Sequence, residues 1–265
     1  MIQCLIIDPQ NDFCEPAGAL FVPGAQHDME RLAGLVAQLG TRISDIHLTL
    51  DAHHFRDIAH PVFWIDAAGV HPPPFTMISQ AEIESGKWRP ANPANQTWAY
   101  DYTGTLEANA RYALCIWPPH CLIGSWGGQV EARLFDALRR WEDQSAKSVD
   151  FILKGMNPLT EHYSAFRADV PRPDDPATLL NLELIEKLLV AEQILIAGEA
   201  LSHCVRFSTI DLLEQLPREI CRKIVVLADA MSPVPGFAQQ GREFLNSLAA
   251  YGVTVSTCEQ LLKSN

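Results

Sequence analysis

Short apolar runs alternate along this chain with stretches in which apolar residues recur every three or four positions. The runs are Gln3–Asp8 (QCLIID), Asp45–Leu50 (DIHLTL), Tyr112–Ile116, Asp150–Leu153, Gln193–Ala197, Lys223–Ala228 and Val253–Thr257. Continuous apolar runs this short fit strands buried on both faces of a parallel sheet. Between them, Asp28–Leu39 puts Met29, Leu32, Leu35, Val36 and Leu39 on one helical face. Gln129–Trp141 does the same with Val130, Leu134, Leu138 and Trp141, and Leu182–Leu189, Val205–Leu216 and Phe237–Ala250 follow. Strands alternating with helices predict βαβ units, a parallel sheet and right-handed crossovers.

One stretch breaks this rhythm. From His53 to Asn109 the chain carries prolines at 61, 72, 73, 74, 90 and 93 together with Trp64, Trp88 and Trp98. Irregular segments of such length are functional or disordered, and the aromatic residues argue against disorder. The expectation is one domain over residues 1–265, with a lid or oligomer-contact insertion around 54–110. A second Pro/Asp-rich stretch, Arg167–Thr178, reads as a surface excursion.

Composition narrows the function classes. The 265 residues are 48% hydrophobic with mean hydropathy near zero, enough for one large core without disulfides. The net charge of −12 is interrupted by no Lys/Arg cluster, which excludes nucleic acid as the expected partner. Seven cysteines without a CxxC pair point to a reducing, cytoplasmic setting. The first residues lack the basic and apolar regions of a secretory leader. No apolar run approaches the roughly 20 residues of a membrane span.

The chemistry collects at the ends of the runs. Active crevices of open parallel sheets lie at the carboxyl ends of the strands, so Asp8, Asp51, Lys154 and Cys204 are expected at one edge. Cys204 opens a helical pattern, where the helix N-terminus favours a thiolate and offers backbone N–H groups to an oxyanion; a buried structural Cys is the plain alternative. Asp8 either accepts the thiol proton or caps a turn, and Asp12 is an equally ordinary cap or loop residue. Lys154 needs an anionic partner if its ammonium is buried, and otherwise snorkels to the surface. Asp51-Ala-His53 places two divalent-metal ligand types on one side of a strand end, with His54, His60, His71 and His120 as further candidates; D-x-H by itself is a weak motif.

These residues lie in segments that resemble the isochorismatase-like cysteine hydrolases, and among them the nicotinamidases. The segments are IIDPQNDFCEPAGALFVPGA (6–25), TLDAHH (49–54), WPPHCLIGSWG (117–127), LKG (153–155), YSAF (163–166) and AGEALSHCV (197–205), in family order across nearly the whole chain. The resemblance implies a Rossmann-like three-layer α/β/α fold with a mainly parallel six-stranded sheet. It implies a triad of Asp8, Lys154 and Cys204, and ligands Asp51, His53 and His120 for a divalent metal, zinc first. It further implies Phe13 in the substrate pocket, an oxyanion hole from the N–H groups of Ala200 and Cys204, a cis peptide at Glu199–Ala200, and self-association. The implied reaction is hydrolysis of a small heteroaromatic amide, nicotinamide first, through a thioester. The rivals are a ureido or other small-amide hydrolase on the same scaffold, metal-first hydrolysis with Cys204 incidental, and a non-catalytic binding protein. Departures from the family pattern are DAHH in place of DWHP, Glu199 at an apolar position, and Ser125-Trp126-Gly127 in place of Thr-x-Gly.

Overall fold

The computed structural model describes residues 1–109 and 112–264. Six strands form one sheet: β1 (Ile2–Ile7), β2 (Ile43–Asp51), β3 (Asp150–Lys154), β4 (Gln193–Gly198), β5 (Ile224–Leu227) and β6 (Thr254–Ser256). Their order is β6-β5-β4-β1-β2-β3, and every neighbouring pair is parallel. The chain starts in the middle, extends through β2 to β3, and then crosses back to build the other half from β4. The reversal lies between β1 and β4, and ligands of open α/β sheets bind at the carboxyl ends beside such a reversal.

Alternation along the strands separates two cores. Cys4, Ile6, Leu195, Ala197, Val225 and Leu227 face one helical layer, which contains α1 (Ala25–Leu39) and α3 (Ala132–Ser145). Leu5, Ile7, Ile194, Ile196, Ile224 and Val226 face the other, with α4 (Leu182–Leu189), α5 (Cys204–Gln215) and α6 (Ala238–Ser247). This is the expected α/β/α sandwich. Helix starts follow local chemistry: the Glu131 carboxylate accepts from Leu134 N–H (2.9 Å) ahead of α3, and Asn181 Oδ1 accepts from Leu184 N–H (3.1 Å) ahead of α4. Such caps contribute about 1 kcal/mol each.

Two expectations change. Tyr112–Ile116 is not a strand of the main sheet; only Leu114–Cys115 is extended, and it pairs antiparallel with Met77–Ile78 in a separate ribbon. The stretch after His53 is not one long loop, since it holds a second ribbon (Trp64–Ile65 with Arg89–Pro90), a short helix (Gln80–Glu84) and the 13-residue helix α2 (Gln96–Ala108). Trp64, Trp88, Tyr102 and Leu106 are buried in the same core as α1 and α3. Trp64 Nε1 donates to Ile58 O (2.7 Å) within the segment, and Trp98 Nε1 donates to Leu159 O (2.6 Å), which fastens the segment to the domain. Ala110, at the end of the predicted insertion, lies outside the described residues. No described helix is long and apolar enough to cross a membrane.

Candidate active site

The carboxyl ends of β4, β1, β2 and β3 lie side by side, and the predicted residues follow them. Asp8 comes directly after β1 with a φ of 42°. Asp51 ends β2 and Lys154 ends β3. Gly198 ends β4 with a φ of +117°, and a Cβ there would lie 2.0 Å from Ile7 O, so only glycine lets the chain pass that close to β1. The turn from Glu199 to His203, whose Glu199–Ala200 peptide is cis, then delivers Cys204 as the first residue of α5.

All four side chains are buried, and Lys154 joins them. Its Nζ lies 2.8 Å from Asp8 Oδ2 and 3.0 Å from Asp51 Oδ1, donates to His162 O (2.9 Å), and sits 3.6 Å from Cys204 Sγ. Hydrogen bonds to Asp51, His162 and Cys204 use all three ammonium protons, and Asp8 is held as the counter-charge of an ion pair. The other Asp8 oxygen accepts from Thr49 Oγ1 (2.6 Å). Burial alone would strip Lys154 of its proton, but Asp51 and Asp8 outweigh it and hold the pKa well above the usual lysine range. Burial raises the Asp8 pKa against the pull of Lys154. Burial also raises that of Cys204 well above an ordinary thiol, again opposed by Lys154 and reinforced by Asp8. The resting group is therefore a thiol in contact with a carboxylate able to receive its proton.

The turn before Cys204 offers two free donors. His203 N–H and Val205 N–H both donate to Ala200 O (3.0 and 3.2 Å). The N–H groups of Ala200 and Cys204 have no acceptor among the described residues. A cavity of about 20 Å³ beside them is lined by Phe13, Trp117, Tyr163, His203, Val234 and Cys204, among others.

Asp51, His53 and His120 bring their ligand atoms within 4.8 Å of one another, all buried. Asp51 Oδ2 lies 3.0 Å from His53 Nε2 and 3.7 Å from His120 Nε2. Bonds of 2.0–2.1 Å to a shared tetrahedral ion would separate ligand atoms by about 3.3 Å. The opposite ring nitrogens are spoken for: His53 Nδ1 bonds Asp57 Oδ2 (3.1 Å), and His120 Nδ1 donates to Pro118 O (2.9 Å). Both bonds keep a proton on Nδ1, the arrangement that orients histidine ligands. Against burial, Asp51 and Asp57 hold the His53 pKa well above the usual histidine range, so an incoming cation would take the place of the Nε2 proton that bonds Asp51. The donor set therefore fits a divalent cation.

No protein-family model matches the chain. It is 27% identical to the nicotinamidase of Escherichia coli (strain K12) over 257 residues, covering 96% of this chain and 93% of that one. The chain is similar to nicotinamidases. The fold agrees: the yeast nicotinamidase bound to the inhibitor nicotinaldehyde superposes with a TM-score of 0.67 at 19% identity, covering 97% of this chain and 100% of that one. The pyrazinamidase of Pyrococcus horikoshii in complex with zinc gives 0.57 at 18% identity, covering 97% and 98%.

Around this site stand residues that the strand-end pattern does not reveal. Asp12 is no surface cap: its Oδ1 accepts from Ala19 N–H (2.8 Å) and its Oδ2 from Cys121 N–H (2.6 Å), anchoring the loop that carries His120. A Cβ on Gly127 would lie 2.0 Å from that carboxylate, which explains the glycine after Ser125-Trp126. Glu161 Oε1 lies 3.8 Å from His53 Nε2, and burial pushes its pKa up to about 8. His60 packs against His53 and His120 (ring centroids 5.1 and 5.5 Å) but stays outside the ligand cluster. His54 is exposed, and His71 is bonded to Trp64 O (2.6 Å). His203 is ringed by Tyr112, Trp117, Tyr163 and Phe237 at 4.6–5.3 Å, and burial followed by Arg206 pushes its pKa down to about 3, so it is neutral. Glu161 and His203 sit in irregular turns, where no periodicity marks them.

Proposed function

We propose that this protein is a cysteine amidohydrolase that converts nicotinamide, or a close heteroaromatic amide, to the acid and ammonia. The observation that carries the reading is Lys154 Nζ in contact with Asp8, Asp51 and Cys204 at once, beside two unpaired backbone N–H groups. Its likeness to nicotinamidases supports the substrate class.

In the first half-reaction Asp8 takes the Cys204 proton as sulfur bonds to the amide carbon. The carbonyl oxygen becomes an oxyanion held by Ala200 N–H and Cys204 N–H; losing one such donor typically costs about 3–4 kcal/mol. The C–N bond then breaks, and nitrogen leaves as ammonia with the proton from Asp8. In the second half-reaction Asp8 takes a proton from water as its oxygen attacks the thioester. The C–S bond breaks and sulfur recovers the proton. Lys154 keeps its charge throughout and sets the position of Asp8. Phe13 and Trp117 supply apolar walls for an aromatic ring. The cavity has room for about one water molecule, so substrate admission requires these side chains to part.

Asp51, His53 and His120 would hold a divalent ion, which supplies a Lewis acid for a ring nitrogen or a bound water. Zinc is the proposed ion, named for the Pyrococcus horikoshii relative. The reading also takes residues 1–265 as one domain in which 54–110 caps the metal side. It takes self-association and a cytoplasmic setting as working conditions, with a small amide as the partner and neither nucleic acid nor membrane.

The test is ammonia release from nicotinamide and from a panel of ureido and aliphatic amides. Cys204→Ala is expected to lose at least about 10³-fold in kcat while unfolding at the same temperature. An active Cys204→Ala enzyme would sink the thioester route, and turnover confined to the other amides would sink the substrate assignment.

A further inference from the structure

One fully buried acid has no task in this chemistry. Glu199 follows β4, and the peptide after it carries the Ala200 N–H. Its Oε2 accepts from Ser232 N–H (3.2 Å), its Oε1 receives no donor, and its carboxyl faces Asp28 on α1. Asp28 is buried too; it accepts from Ser232 Oγ and from Arg31 Nη2 (2.6 Å). The stretch around Ser232 is the platform for the turn: Gly198 N–H donates to Ala230 O (2.9 Å), Leu201 N–H to Ser232 O (2.9 Å), and Val234 N–H to Ser202 Oγ (3.1 Å).

The charged groups around Glu199 are few. From α1 they are Asp28 and, bonded to it, the half-exposed Arg31; from the short helix Asn11–Cys14 the group that interacts with Glu199 is the Cys14 thiol, with Glu131 and Glu15 beyond it. Two carboxyls facing each other are both acceptors when ionised, so one must carry a proton to make a bond. Burial, followed by Asp28, pushes the Glu199 pKa well above the ordinary range, which puts the proton there.

We propose that Glu199 is a positioning residue for the oxyanion-binding turn and works as a neutral acid, donating its proton to Asp28 while Oε2 holds Ser232 N–H. The proposal rests on the amidohydrolase reading above, which gives the Ala200 N–H its role. The two bonds fasten the start of the turn to α1 and to the 230–234 platform. Neutrality matters as much: an ionised Glu199 would place a buried negative charge one residue from the amide that receives the oxyanion, where low dielectric strengthens the repulsion.

Glu199→Gln keeps both bonds, its amide donating to Asp28 and its oxygen accepting from Ser232; Glu199→Val and Glu199→Met keep neither. Difference infrared spectra of wild type against Glu199→Gln at neutral pH are expected to show the carbonyl stretch of one neutral carboxylic acid, lost in the variant. In ammonia-release assays, Glu199→Gln is expected to stay within about threefold of wild-type kcat. The Val and Met variants are expected to fall about ten- to a hundredfold, with KM and the alkylation rate of Cys204 held. Absence of the neutral-acid band, wild-type kcat in the Val or Met variant, or equal loss in Gln would overturn the proposal. The infrared comparison needs neither the apolar variants nor turnover. A wild type that hydrolyses no amide of the panel while showing the band would therefore overturn the functional reading and leave the proton on Glu199 established.

Discussion

Two buried carboxyl pairs flank the turn to Cys204, and they are neutralised in opposite ways. Asp8 and Asp51 face a common ammonium, Lys154, at 2.8 and 3.0 Å. Glu199 and Asp28 have only the half-exposed Arg31 near them, bonded to Asp28, and share a proton instead. A carboxylate held by a cation keeps an acceptor ready, so the first pair suits proton traffic. A carboxyl held by its own proton is a fixed hydrogen-bonding strut, so the second suits positioning. Burial is nearly the same for both, so the difference lies in what each strand end places beside them.

Removing Lys154 is the harshest way to break this contrast. Lys154→Met leaves Asp8 and Asp51 as facing buried acids, the situation of the Glu199 pair but without the donors that Ser232 and Arg31 supply there. Deleting one member of a buried ion pair costs about 3–5 kcal/mol. We expect loss of that order in chemical denaturation, together with loss of ammonia release. A Lys154→Met protein of wild-type stability would mean that the carboxyls accommodate a shared proton there as readily as at Glu199, and the contrast would fall.

A milder probe separates the cation of Lys154 from the metal cluster, because Asp51 serves both. Asp57 touches His53 Nδ1 and neither Lys154 nor Cys204. Asp57→Ala is expected to weaken metal binding about 10–100-fold, measured by competition with a chelator, while the alkylation rate of Cys204 is unchanged. Unaltered metal affinity would mean that the Asp57 bond to His53 Nδ1 does not orient that ligand. A slowed thiol would show that the two halves of the site are not separable.

The carboxyl-end residues were legible because strand ends are. QCLIID, IHLTLD and FILK each finish in a residue whose position follows from the strand, and parallel topology brings those ends together whatever lies between them. Irregular segments carry no such signal. Glu161, His60 and His203 reach the site from turns, where neither a period of 2 nor one of 3.6 marks a side. The helix Gln96–Ala108 was hidden for a related reason: QTWAYDYTGTLEA mixes Thr and Gly into both faces, and its burial comes from packing against the domain. Tyr112–Ile116 has the composition of a sheet strand, but Leu114–Cys115 finds its partner in Met77–Ile78, which came from the segment read as irregular. Glu199 stood out as an acid at an apolar position, whereas its partner Asp28 belonged to a predicted helix start and gave no sign of facing it.

The gentlest test follows from the second pair and runs through pH. A carboxyl whose pKa is raised on folding binds its proton more tightly in the folded state. Its contribution to stability is complete below the unfolded value, about 4.3 for Glu, and is lost as pH rises toward the folded value. Wild type should therefore lose stability relative to Glu199→Gln as pH climbs from about 5 through neutrality, at no more than about 1.4 kcal/mol per pH unit. The measurement is the difference in denaturation free energy between the two proteins at several pH values, which cancels the titration of groups they share. A difference that grows with pH sharpens the contrast between the proton-held and lysine-held pairs. A flat difference would mean that Glu199 enters the fold already ionised, and Asp28 would then need a cation that Arg31 alone supplies.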